Sequence, residues 1–221
     1  QYNQELLNSE SSHYNFSPDI TFLVIDIRNL LGDNFYLPYE ISDNERKSLV
    51  KEKINELENL IQKFNDNSNS KLVLTNFNIP SYSPNGIIET KTKFGFHEMI
   101  EEINSSLRNL VKNYNSVYVF DFNQFISKYG EKNIFDYRQF FLGDIQITFN
   151  YIPSFANELL SYIKPISGIN RKCIVLDLDN TLWGGIIGED GFNGIKHYGH
   201  STLGGHFPED LSKVFPDEAI S

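Results

Sequence analysis

Continuous apolar runs alternate along the chain with segments in which apolar residues recur every three or four positions. Ile20-Thr21-Phe22-Leu23-Val24-Ile25-Asp26 is rich in β-branched and aromatic residues and lacks polar alternation, which predicts a buried parallel strand. From Ser42 or Asp43, with acidic side chains near the start, Val50, Ile54, Leu57, Ile61 and Phe64 share one helical face until the polar stretch from Asn65 to Ser70. Lys71 to Phe77 predicts a second strand, stopped near Pro80. A loop with Pro84 and Gly86 leads to a helix whose stripe is Ile100, Ile103, Leu107, Leu110 and Val111. Val117 to Asp121 is the third strand, followed by a short helix from Phe122 to Tyr129 closed by Gly130. After an aromatic loop around Phe135 to Phe141, a helix near Ile152 to Lys164 carries Phe155, Ala156, Leu159, Leu160 and Ile163 on one face and stops at Pro165. Ile166 to Asn170 reads as a linker.

Strands alternating with helices of this length predict an α/β fold, with a parallel sheet covered on both faces. The 221 residues suffice for a sizeable core, and the hydrophobic share of 40% excludes disorder of the whole. A net charge of −10 repels phosphate backbones and anionic lipid, so the chain is expected to bind neither nucleic acid nor membrane. No apolar run approaches the roughly 20 residues that span a bilayer, and the segment opening at Gln1 lacks the basic and apolar regions of a signal peptide. The single cysteine, Cys173, forms no internal disulfide, which suits a reducing cytoplasm.

Chemistry concentrates in one segment. Cys173-Ile174-Val175-Leu176 is a fourth apolar run, and it ends in Asp177-Leu178-Asp179-Asn180-Thr181-Leu182-Trp183-Gly184-Gly185. Ligands of open α/β sheets bind beyond the carboxyl ends of strands. If the strand persists, Asp177 and Asp179 point to one side, and two adjacent carboxylates require a proton or a cation between them. That suits phosphoryl transfer: one carboxylate attacks phosphorus, Mg²⁺ offsets the charge, and the second donates a proton to the leaving oxygen. Asn180 and Thr181 are candidates for holding phosphate, with backbone N–H groups of the following turn.

Asp177-Leu178-Asp179-Asn180-Thr181 resembles the first motif of the haloacid dehalogenase-like superfamily. The longer string from Lys172 to Gly191 resembles its FkbH-like branch, in phosphatase subfamily IIIC, and the upstream part resembles that branch's SGNH-hydrolase-like N-terminal module. The resemblance implies a parallel-sheet, flavodoxin-like domain over residues 1–166 and the start of a Rossmann-like dehalogenase-superfamily domain over 171–221. It implies that Asp177 is nucleophile and metal ligand, and that Asp179 is general acid and base with a metal contact. Thr181 would support the phosphate site. It further implies Mg²⁺, a phosphorylated small-molecule substrate, and an acyl carrier protein as partner in polyketide or polysaccharide biosynthesis. The alternative function is a non-enzymatic module that recruits an acyl carrier or a pathway enzyme.

The chain ends 44 positions after Asp177, whereas the family's later motifs need further βα units, so the chain is expected to be a fragment without phosphatase turnover. No Gly-Asp-Ser block is present, and Asp144-Ile145-Gln146-Ile147 stands where an esterase of the SGNH type needs Asp-x-x-His, so no hydrolase activity is expected of the first domain. Other polar residues have ordinary explanations. His197, His200 and His206 read as a solvated tail without a strand, Glu189 and Asp190 as an acidic turn, and Cys173 and Trp183 as packing residues. Asp26 and Asn76, at two strand ends on the same carboxyl edge, read as polar residues that terminate the sheet, with the lining of a cleft as the alternative.

Overall fold

A computed structural model of the chain describes residues 2–143, 145–169, 183–184 and 196–197. It separates into two compact units, Gln1–Leu159 and Leu160–Ser221. The first is an α/β unit on a three-stranded parallel sheet in the order β1-β2-β3, with β1 Ile20–Leu23, β2 Lys71–Thr75 and β3 Val117–Phe120. Leu23 aligns with Leu74, and Leu74 with Val119.

Side-chain alternation divides the sheet into two apolar faces. Leu23, Leu72, Leu74 and Val117 face the main core, formed with α5 (Asp43–Asn67) and α6 (Phe96–Leu110). Ile61, Phe64, Phe96, Met99, Ile100 and Ile103 are fully buried there. On the opposite face Phe120 meets Phe125 of α7 (Phe122–Tyr129) and, edge-on at 5.5 Å, Phe155 at the start of α10 (Ile152–Ile166). The remaining helices of this unit are α1 (Tyr2–Leu7), α2 (Ser12–Phe16), α3 (Ile27–Leu31), α4 (Asp33–Tyr36), α8 (Glu131–Ile134) and α9 (Tyr137–Gly143).

The long helix α5 starts where its sequence says it should. Ser42 is the N-cap, its hydroxyl oxygen accepts from Glu45 N–H, and the Glu45 carboxylate accepts from Ser42 N–H at 2.7 Å. Helix α7 is capped by Asp121, which accepts from Gln124 N–H at 3.1 Å, and it ends at Gly130 with φ 85°.

Several boundaries differ from the sequence reading. The first strand stops at Leu23 rather than Asp26, because Asp26 turns its carboxylate back to cap α3. The second stops at Thr75 rather than Phe77, because side chains capture the backbone beyond it. The predicted aromatic loop from Phe135 to Phe141 contains helix α9. Helix α10 ends at Ile166, one residue past Pro165, whose missing N–H and ring break the ladder to the preceding turn.

In the second unit Trp183–Gly184 (β4) pairs antiparallel with Lys196–His197 (β5), so His197 begins no strandless tail: its backbone lies in a ladder opposite Trp183. The predicted strand from Cys173 to Leu176 lies outside the described residues. Among the described residues no helix is long and apolar enough to cross a membrane.

Candidate functional site

The three parallel strands deliver their carboxyl ends to one cleft of about 230 Å³ within the first unit. Each strand contributes the residues that directly follow it: Ile25 and Asp26 after β1, Asn76 to Asn78 after β2, and Phe122 after β3. Asp26 and Asn76, singled out from sequence as strand-end polar residues, do line the same cleft.

Their side chains are committed to building it. Asp26 Oδ1 accepts from Arg28 N–H at 2.9 Å, and its carboxylate forms an ion pair with the Arg28 guanidinium, both side chains being almost buried. The guanidinium carbon stands 4.1 Å from the centroid of the Phe140 ring, a stacked cation–π arrangement. Asn76, 2% exposed, donates from Nδ2 to Asp121 Oδ1 at 2.8 Å and accepts at Oδ1 from Phe122 N–H at 2.6 Å. Asn104 accepts from Phe77 N–H and donates to Phe77 O, both at 2.8 Å. Asn123 also donates to Phe77 O, at 2.7 Å, and accepts from Ile79 N–H at 3.0 Å. Three asparagines thus satisfy backbone groups that the sheet has stopped pairing, which holds the loop after β2 in a fixed path over the sheet edge.

The lining is mainly apolar and aromatic, and among the described residues it contains no serine, threonine, cysteine or histidine. The cleft can hold a ligand, and the polar groups of its described lining are the Asp26, Arg28 and Glu131 side chains, the Tyr36 and Tyr82 hydroxyls, and the amides of Asn76, Asn78 and Gln146. Of the segment expected to carry an esterase acid and base, Gln146 lines the cleft, and Asp144 lies outside the described residues. Sequence reasoning missed Arg28 and Glu131 as wall residues. Only Arg28 left a signal, a cation two positions after a strand-end acid.

A second polar cluster sits at the N-terminus of α6. Glu89 accepts from the hydroxyls of Tyr39 and Ser83, and from His97 N–H at 3.0 Å. The Tyr39 oxygen accepts from Phe96 N–H at 3.0 Å. Burial works to raise the Glu89 carboxyl, but the three donors outweigh it and hold it below the usual carboxylate range. Burial and the bond to Glu89 push the Tyr39 hydroxyl up. Nearby, Arg46 spends its guanidinium on the carbonyls of Phe94, Ile41 and Lys93. Every polar group here serves the helix end or the loop before it, so the cluster is structural.

Asp177, Asp179, Asn180 and Thr181 lie outside the described residues, as do Cys173, Glu189, Asp190, His200 and His206. Among the described residues no group of three or more His, Cys, Asp or Glu is arranged to hold a metal ion.

Residues 1–164 match the family described as FkbH, N-terminal domain. No curated protein matches the chain. Among solved structures the chain is similar to the N-terminal part of the protein BF1531 from Bacteroides fragilis, which contains a phosphatase domain complexed with Mg. The two share 25% identity at a TM-score of 0.69, over 92% of this chain and 52% of that one. The chain spans about half the length of that structure.

Proposed function

The chain belongs to the FkbH N-terminal domain family, and on that premise we propose that it serves a Mg²⁺-dependent phosphoryl-transfer enzyme of the haloacid dehalogenase-like superfamily. In this reading the first unit is the SGNH-like module over residues 1–166, and residues 171–221 open the phosphatase domain. The observation that carries it is the likeness to a structure whose phosphatase domain was crystallised with Mg, extending over 92% of this chain and therefore past residue 164. The string Asp177-Leu178-Asp179-Asn180-Thr181 supports it independently.

Asp177 attacks the phosphorus of a phosphorylated small molecule and becomes an aspartyl phosphate. Asp179 donates a proton to the leaving oxygen and then takes one from the water that hydrolyses the intermediate. Asn180 and Thr181 hold phosphate oxygens. The donors offered by Asp177 and Asp179 are hard oxygens, which suit Mg²⁺, and the ion would offset the charge of nucleophile and phosphate.

A second reading makes the first unit a non-enzymatic module that recruits an acyl carrier protein or a pathway enzyme. A cleft whose described lining carries no serine, cysteine or histidine favours it. Both readings are compatible in one protein.

The test uses a form that carries the phosphatase domain, Mg²⁺ and radiolabelled acetyl phosphate, quenched in acid. Label is expected on the wild-type protein and absent from Asp177→Asn. Label that persists on the variant assigns the nucleophile elsewhere.

A further inference from the structure

We propose that the cleft at the carboxyl end of the sheet binds a small monoamine, a compact aromatic or branched aliphatic body carrying one ammonium group. The proposal stands apart from the phosphoryl-transfer reading and concerns only residues of the first unit.

Size comes first. A cleft of about 230 Å³ equals roughly eight water molecules at about 30 Å³ each. That volume suits a body near the size of a single substituted ring. The walls that would cover such a body are Ile25, Ile27, Phe35, Phe77, Phe122 and Phe135. Their positions are set before any ligand arrives. Phe35 packs edge-on against Phe96 at 5.3 Å, Phe122 stacks on Phe125 at 5.9 Å, and the Phe77 backbone is clamped by Asn104. A wall already ordered costs little entropy on binding.

Charge decides the rest. Among the described residues three charged side chains line the cleft: Asp26, Arg28 and Glu131. Asp26 and Arg28 neutralise each other, and the guanidinium face is occupied by Phe140. Glu131 accepts from Ser81 N–H at 3.3 Å and has no ion-pair partner among the described residues. The described lining therefore carries one more carboxylate than it has cations, and the half-exposed rings of Tyr36 and Tyr82 line the same cleft. Aromatic faces and a carboxylate both attract an ammonium group. A carboxylate ligand would face Glu131 or have to part Asp26 from Arg28.

The experiment titrates the full 221-residue chain by calorimetry with phenethylamine, 2-phenylethanol and phenylacetate, which share a ring and differ in charge. Phenethylamine is expected to bind about tenfold more tightly than phenylacetate, with the alcohol between them. Glu131→Gln is expected to bring the amine to the alcohol's affinity and leave the alcohol unchanged. Asn78→Trp, which fills the cleft from its lining, is expected to weaken all three, with Tyr82→Ala as the second variant should the first not fold. The proposal is overturned by no saturable binding of any probe, by the alcohol or phenylacetate matching the amine, by an amine preference that survives Glu131→Gln, or by affinities that neither lining variant reduces.

Discussion

Asn76 and Asp121, 45 residues apart in sequence, join the ends of β2 and β3 through a 2.8 Å hydrogen bond from Nδ2 to Oδ1. The same asparagine accepts from Phe122 N–H, so a single buried side chain connects two strand ends and the first residue of α7. Asp121 in turn caps that helix. The cleft floor rests on this chain of bonds.

Asn76→Ala is therefore expected to lower the unfolding free energy by about 2–4 kcal/mol, since it strands the Phe122 N–H away from water and removes a donor from Asp121. Urea unfolding measures it. Asn76→Asp is expected to be worse at neutral pH than near pH 4, because it sets a second carboxylate against Asp121. A loss below about 0.5 kcal/mol for the alanine variant would mean that the strand ends are held by other groups.

Glu89 predicts a pH dependence with a definite sign. Burial raises its carboxyl, but the bonds from Ser83, Tyr39 and His97 prevail and lower it. A folded-state value below the unfolded value of about 4.3 gives stabilisation that is complete above that pH and lost as pH falls through the folded-state value. Unfolding free energies of wild type and Glu89→Gln are expected to converge as the solution is acidified below about pH 4. A gap that stays constant, or widens, on acidification contradicts the assignment.

Gly95 predicts a steric coupling. Its φ of −72° suits any residue, yet a Cβ built there would stand 2.3 Å from Glu89 Oε1. Gly95→Ala must push the carboxylate off its donors, at an expected cost of about 1–3 kcal/mol. In a Glu89→Ala background the same substitution is expected to cost much less. A double-mutant cycle with no interaction energy would show that the loop shifts instead.

Asp179 is expected to act in proton transfer more than in binding. In a form with the complete phosphatase domain, Asp179→Asn should lower kcat by about 10²–10⁴-fold with little change in KM. Phosphoenzyme should still form slowly and decay more slowly. An unchanged kcat would remove the acid–base role.

The elements legible in the sequence are those whose signals are local. Ser42, Glu45 and the stripe from Val50 to Phe64 specify α5, and Asp121 with Gly130 brackets α7, because caps and helical faces involve residues a few positions apart. The three strands were legible as apolar runs, but their ends were not. Apolarity continues through Ile25 and Phe77, whereas pairing stops where Asp26 and three asparagines take over the backbone, and those bonds span up to 46 residues.

The candidate site divides the same way. Asp26 and Asn76 could be placed on one edge from sequence alone, since parallel strands send their carboxyl ends to the same side. Arg28 over Phe140, Glu131 beside Ser81, and the rings around them are decided only by packing, because no periodicity relates residues brought from α3, α8 and α9 to one opening. The sequence by itself determined the α/β alternation, the helix caps and the Asp177 to Thr181 motif, all encoded within short windows. Tertiary structure alone decided where the strands end and what the cleft is lined with, because those depend on which distant side chains reach the backbone and on how a small volume is shared among aromatic rings.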